Sequence, residues 1–139
     1  MTNIIPMAGE GKRFKDAGYT TPKPLIPVSG KPMIIQAIKG MPPSDKWVFV
    51  CRKEHIDNYK VSKILRKEIP NAQIITVDKT TEGQACTCLL AKDLIVRNEP
   101  LYIGTCDATK VWDLDKWNAL IADKSLDGVI WAFTKQFNL

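Results

Sequence analysis

Apolar residues in this chain fall into two patterns. Short continuous runs, such as Trp47-Val48-Phe49-Val50 and Leu101-Tyr102-Ile103, alternate with longer stretches in which apolar positions recur at helical spacing. A continuous run rich in β-branched and aromatic residues fits a strand covered on both faces, as in a parallel sheet. This predicts strands over residues 2–5, 46–51, 72–77, 101–104 and 128–133. Between them, residues 32–39 read as a helix with Pro32 in its first turn, stopped by Gly40 and Pro42-Pro43. Ile56, Tyr59, Ile64, Leu65 and Ile69 keep a helical spacing up to Pro70. Residues 83–95 and 113–122 read as two further helices, the second with Asp113 and Asp115 available as caps.

Strands alternating with helices imply an α/β fold of Rossmann-like type, a mostly parallel sheet with right-handed crossovers between two helical layers, αβα. By length this is one domain over residues 1–139, and the sequence shows no internal repeat, low-complexity tract or linker. In such sheets ligands bind beyond the carboxyl ends of the strands, where the strand order reverses. Three chemically distinctive segments fall at such ends. They are the loop after the first strand, residues 80–83 after the third, and Asp107 after the fourth.

The first of these loops reads Met7-Ala8-Gly9-Glu10-Gly11-Lys12-Arg13-Phe14, with Pro22-Lys23-Pro24 soon after. Gly9 and Gly11 let peptide N–H groups approach an anion closely. Arg13 offers a planar charged fork suited to phosphate, and Lys23 a compact charge held between two prolines. A dinucleotide fingerprint needs a third glycine where Phe14 stands, and a Walker loop needs a Gly-Lys-Ser/Thr that is absent. Residue chemistry alone leaves two uses open: a phosphate cradle, or a turn with Lys12, Arg13 and Lys15 on a solvated basic face.

The ordered set Met7-Ala8-Gly9-Glu10-Gly11-Lys12-Arg13-Phe14, Pro22-Lys23-Pro24-Leu25-Ile26-Pro27-Val28, Gly30-Lys31-Pro32-Met33-Ile34, Glu82-Gly83-Gln84-Ala85 and Cys106-Asp107 resembles the sugar-phosphate nucleotidyltransferases, the nucleoside-diphosphate-sugar pyrophosphorylases. The resemblance spans almost the whole chain. It implies the nucleotide-diphospho-sugar transferase variant of the fold, and a reaction in which a sugar phosphate, or a related phosphorylated acceptor, takes a nucleoside monophosphate from a triphosphate and releases pyrophosphate. It places Arg13 and Lys23 in the catalytic role and Ala8, Gly9, Gly11, Lys12, Arg13, Glu82 and Gly83 around the nucleotide. Asp107 becomes the ligand of Mg2+, although an aspartate here also serves as a turn or capping residue. Glu82-Gly83 is equally compatible with a simple helix start.

Two departures matter. Lys12 stands where the family commonly has threonine or serine, and Asp78-Lys79-Thr80-Thr81 lacks the glutamine that reads a pyrimidine in many relatives. The base is therefore not legible. Family members are also considerably longer, so the resemblance implies a chain truncated relative to them. That keeps a second reading alive, a nucleotide-binding or assembly module without turnover of its own.

Composition narrows the partners. The chain has 139 residues, 45% hydrophobic and 25% charged, with a formal net charge of +5, ordinary for a globular domain. Its lysines are dispersed except around the glycine loop, and no aromatic platform is interleaved there, so a small polyanion is expected rather than nucleic acid. No run reaches transmembrane length and the N-terminus lacks a signal-peptide layout, so no membrane partner and a cytoplasmic location are expected. Homo-oligomerisation is left open. Cys51, Cys86, Cys88 and Cys106 form no metal-binding spacing and read as buried free thiols, and His55 reads as a surface residue near a helix start. A nicotinamide-dependent oxidoreductase is disfavoured, because Phe14 replaces the needed glycine and no acidic residue ends the second strand at Cys51.

Overall fold

The computed structural model describes residues 1–111 and 113–132. In chain order the elements are β1 Thr2–Met7, α1 Lys12–Asp16, a 3₁₀ turn at Lys23–Leu25, β2 Pro27–Val28, β3 Lys31–Pro32, α2 Met33–Lys39, β4 Lys46–Arg52, α3 Lys53–Tyr59, α4 Val61–Glu68, β5 Gln73–Val77, α5 Gln84–Leu89, a second 3₁₀ turn at Lys92–Leu94, β6 Leu101–Ile103 and α6 Leu114–Ala122. β2 and β3 form a small antiparallel ribbon. The other four strands make one parallel sheet in the order β5-β4-β1-β6.

That order places the reversal between β1 and β6. The chain steps outward from β1 to β4 to β5, then returns to the far side of β1. The carboxyl ends of β1 and β6 therefore open a crevice, the place where a parallel sheet receives its ligand.

Side-chain alternation along the strands divides the core. Ile5, Met7, Phe49 and Cys51 face one side and pack with Ile34, Ile35, Val61 and Leu65 from α2 and α4. Ile4, Val48 and Val50 face the other side, against Ala91 and the partly buried Cys88 and Leu94. Both faces are apolar, which is why the strands read as continuous runs. The three layers are unequal: among the described residues the second face is covered by α5 and the 3₁₀ turn behind it.

Three sequence expectations are corrected. The helical spacing from Ile56 to Ile69 belongs to two helices, α3 and α4, split at Lys60, whose φ of 55° is left-handed. On one continuous helix Leu65 would point about 180° away from Ile56. The break lets both reach the same core. The helix expected over residues 83–95 is likewise shorter, α5 followed by a turn. Residues 128–132 form no strand, and Phe133 lies outside the described residues. Trp131 instead packs on Trp117 of α6, ring centroids 6.2 Å apart. No helix among the described residues is long and apolar enough to cross a membrane.

His55 is also buried, at 4% exposure, not on the surface. It stands edge-on to Tyr59 at 6.5 Å, and among the described residues its Nδ1 has no hydrogen-bond partner. Burial lowers its pKa; Glu54 opposes this, and Arg52 and Lys15 reinforce it. The unfolded chain thus binds a proton at His55 more readily than the folded one. Stability is full above the ordinary histidine value of about 6.5 and falls as pH drops from there toward the lowered folded value. Denaturation midpoints from pH 7.5 to 5 should decline in the native chain and decline less in His55→Gln. Equal slopes would exclude His55 as the cause.

Candidate active site

A cavity of about 420 Å³ lies at the β1–β6 crevice. β1 runs directly into Ala8 and Gly9, and Gly11 caps α1 with a φ of 63°. That turn places Lys12 and Arg13 in the cavity lining, and their amides precede the first bonds of the helix, which run from Phe14 and Lys15 to the Gly11 carbonyl. Lys23 starts the 3₁₀ turn, with Pro24 in its first turn, and reaches the same space. From the opposite side come Gly83 at the start of α5 and Asp107 four residues after β6. Ala8, Gly9, Gly11, Lys12, Arg13, Lys23, Gly83 and Asp107 all line this cavity, whereas Glu82 does not. Glu82 flanks Gly83 without facing the space the glycine faces.

Lys23 Nζ and Asp107 Oδ2 form an ion pair across 84 residues of sequence. Lys23 Nζ also lies 5.4 Å from the centre of the Phe14 ring, a cation–π contact. The Asp107 side chain is 39% exposed and that of Lys23 22%. Burial pushes the Asp107 carboxyl up, but the hydrogen bond and charge of Lys23, helped by Thr105, outweigh it and hold the carboxyl below its ordinary value. It is the sole carboxylate among the cavity-lining residues, facing Lys12, Arg13 and Lys23. Three basic side chains and one carboxylate leave the cavity lining net positive.

The glycines divide by role. A Cβ on Gly11 would sit 3.2 Å from the Lys23 Cβ, on a backbone already left-handed, so this glycine shapes the turn itself. Gly83 is extended at φ 174°, and a Cβ there would meet nothing within 4 Å. The fold does not require glycine at 83. Gly83→Ala should leave the thermal midpoint within about 2 °C, whereas Gly11→Ala should cost about 1–2 kcal/mol. Thermal melts of the two variants decide this, and equal losses would contradict the division.

Several lining residues were not singled out by sequence reasoning. Thr87 lies one turn along α5 and donates to the Gly83 carbonyl at 3.1 Å, while Thr81 donates to the same carbonyl at 3.0 Å and meets Thr87. Thr105 precedes Cys106-Asp107 and supports the carboxylate. The usable signal was spacing: Thr87 stands four residues after Gly83, on the same helix face.

The cysteines play no part in this arrangement. Cys51 and Cys106 are buried, and burial pushes their thiols up to about 12 and about 11, reinforced for Cys51 by the Cys106 thiol and for Cys106 by the Asp107 carboxylate. Cys86 is exposed and Cys88 only half-buried, against the expectation of four buried thiols, because α5 covers the sheet with one face only.

No protein-family model matches the sequence, and no curated protein matches it. Solved structures do match by shape. A nucleoside-diphosphate-sugar pyrophosphorylase from Vibrio cholerae RC9 superposes with a TM-score of 0.60 at 21% identity, over 84% of this chain and 53% of that one. An inositol-1-phosphate CTP transferase from T. maritima gives 0.65 at 16% identity, over 78% and 44%. A protein described as a glucose-1-phosphate thymidylyltransferase from Bacillus anthracis gives 0.68 at 23% identity, over 88% and 50%. The chain spans about half the length of each of these structures, and over that half it has the α/β fold of the nucleotidyltransferases.

Proposed function

We propose that this chain is the nucleotide-binding part of a nucleotidyltransferase. It takes a nucleoside triphosphate and transfers the nucleoside monophosphate to a sugar phosphate or a related phosphorylated acceptor. The observation that carries the reading is the meeting of Lys23 with Asp107 beside the glycine loop, at the reversal point of the sheet.

In the reaction an oxygen of the acceptor phosphate attacks the α-phosphorus, and the bond to the bridging oxygen breaks as pyrophosphate departs with the electron pair. Such chemistry depends on positioning and charge neutralisation rather than on a protein nucleophile. Arg13 and the amides of residues 9–13 hold the β- and γ-phosphates, and Lys23 neutralises charge at the α-phosphate. Gly83 leaves room for the nucleoside. Where the nucleotide meets the loop, Phe14 limits how far the Lys23 ammonium can swing.

Magnesium suits the donor set. No cluster of three or more His, Cys, Asp or Glu side chains that could cage a metal occurs among the described residues, and one ionised, half-exposed carboxylate faces the cavity. Mg2+ is characteristically held by one or two carboxylates plus substrate phosphates. Asp107 would hold it, and the ion would supply charge neutralisation on the phosphates. Lys23 holds that carboxyl below its ordinary value.

The half-length match to the solved structures favours one further reading, a module that binds a triphosphate without turning it over. Calorimetry with ATP, GTP, CTP, UTP and dTTP in the presence of magnesium, on the native chain and on Arg13→Ala, tests the common core of both. Binding of one triphosphate, weakened at least about tenfold in Arg13→Ala, is expected. Pyrophosphate release with a panel of phosphorylated acceptors then separates enzyme from module. A folded chain that binds none of the five would overturn the proposal.

A further inference from the structure

We propose that Arg52, Thr80 and Glu10 form a polar bridge that sets the spacing of the two loops flanking the candidate nucleotide cavity and turns Thr80 into an obligatory hydrogen-bond acceptor toward the nucleotide. The ligand-facing part rests on the function proposed above; the bridge between the loops does not.

Arg52 is the last residue of β4, and its side chain is only 15% exposed. Its Nη1 donates to Thr80 Oγ1 at 2.7 Å, and Thr80 Oγ1 donates to Glu10 Oε1 at 3.0 Å. The other guanidinium nitrogen, Nη2, lies 3.6 Å from Glu54 Oε2, which steadies the fork from α3. Three segments far apart in sequence are thus tied in one line: the end of β4, the loop after β5, and the glycine loop after β1. Thr81, the next residue, is instead tied within its own loop through the Gly83 carbonyl.

The bridge has two chemical consequences. Glu10 stands between the glycines of a loop suited to anions, where a free carboxylate would repel phosphate. Thr80 holds that carboxylate to one side, and Glu10 does not line the cavity. A hydroxyl also has one proton and two lone pairs. The Thr80 proton goes to Glu10 and one lone pair takes Arg52, which leaves one lone pair for the cavity that Thr80 lines. The nucleotide group that meets Thr80 is therefore a donor, an amino or imino N–H of the base or a sugar hydroxyl.

The test uses the 139-residue chain with Arg52→Met, Thr80→Val and Thr80→Ser, read by amide hydrogen exchange and by calorimetry with the five magnesium triphosphates. Exchange at residues 8–14 and 79–83 should rise together in Arg52→Met and Thr80→Val and stay native in Thr80→Ser, which keeps the hydroxyl. Affinity for the bound triphosphate should fall about tenfold in Thr80→Val and return to within about twofold in Thr80→Ser. Faster exchange in residues 79–83 alone would overturn the bridge, and native affinity in Thr80→Val would overturn the acceptor role. A native chain that binds no triphosphate would defeat the proposed function, while the coupled exchange would still decide the bridge.

Discussion

Lys23→Ala is expected to slow nucleotidyl transfer by about 10²–10³-fold, the usual consequence of removing one charge aimed at the reacting phosphates. The geometry gives the substitution two effects. It deletes the ammonium that reaches the cavity beside Phe14, and it leaves Asp107 without the partner that holds its carboxyl below its ordinary value. Neither effect threatens the fold. Both side chains of the pair are partly exposed, and such pairs contribute no more than about 1 kcal/mol. A pyrophosphate-release assay beside a thermal melt separates the two outcomes. Native turnover in a folded Lys23→Ala chain would remove Lys23 from the mechanism. Arg in place of Lys should rescue poorly, since a planar fork does not reproduce a compact charge.

Asp107→Ala is expected to abolish the magnesium dependence of triphosphate binding and to reduce transfer by about a hundredfold or more. With the carboxylate gone, the cavity lining keeps Lys12, Arg13 and Lys23. Metal-free triphosphate should consequently bind Asp107→Ala at least as well as the native chain, while added magnesium brings no gain. Titrations with and without magnesium would reveal this, and an undiminished response to the metal would exclude Asp107 as its ligand. Because the two residues act as a pair, the Lys23→Ala/Asp107→Ala chain should lose less than the product of the single losses. The pH dependence has a defined sign. The folded-state carboxyl lies below its ordinary value of about 3.9, so its stabilising contribution is complete above that value and disappears as pH falls through the lower, folded one. That window is separate from the decline assigned to His55, which begins near 6.5.

Much of the fold was legible in the chain itself. Runs such as Trp47-Val48-Phe49-Val50 announced strands buried on both faces, because a parallel sheet between helices gives every residue of a strand an apolar neighbour. The glycine loop, Lys23 and Asp107 were legible for a related reason. Loops at the carboxyl ends of parallel strands share one edge, so chemistry at those positions converges without knowledge of the packing. Residue type and local spacing carry that information.

Tertiary structure decided what local spacing does not encode. Lys60 breaks α3 from α4 because Ile56 and Leu65 must face one core, and helical periodicity does not reveal which core exists. His55 is buried by the neighbours that gather around it, not by its own polarity. Residues 128–132 have strand composition and no strand, although among the described residues β6 has an open edge, and Trp131 packs on Trp117 of α6 instead. The Arg52–Thr80–Glu10 line joins residues 28 and 70 positions apart, and no pattern within any one segment marks them as neighbours. The sequence by itself determined the alternation of strands and helices that makes a parallel sheet, and it offered residue types suited to a phosphate. Only the folded chain decided which of those residues meet, because contact depends on distances that the packed sheet sets and the linear order does not.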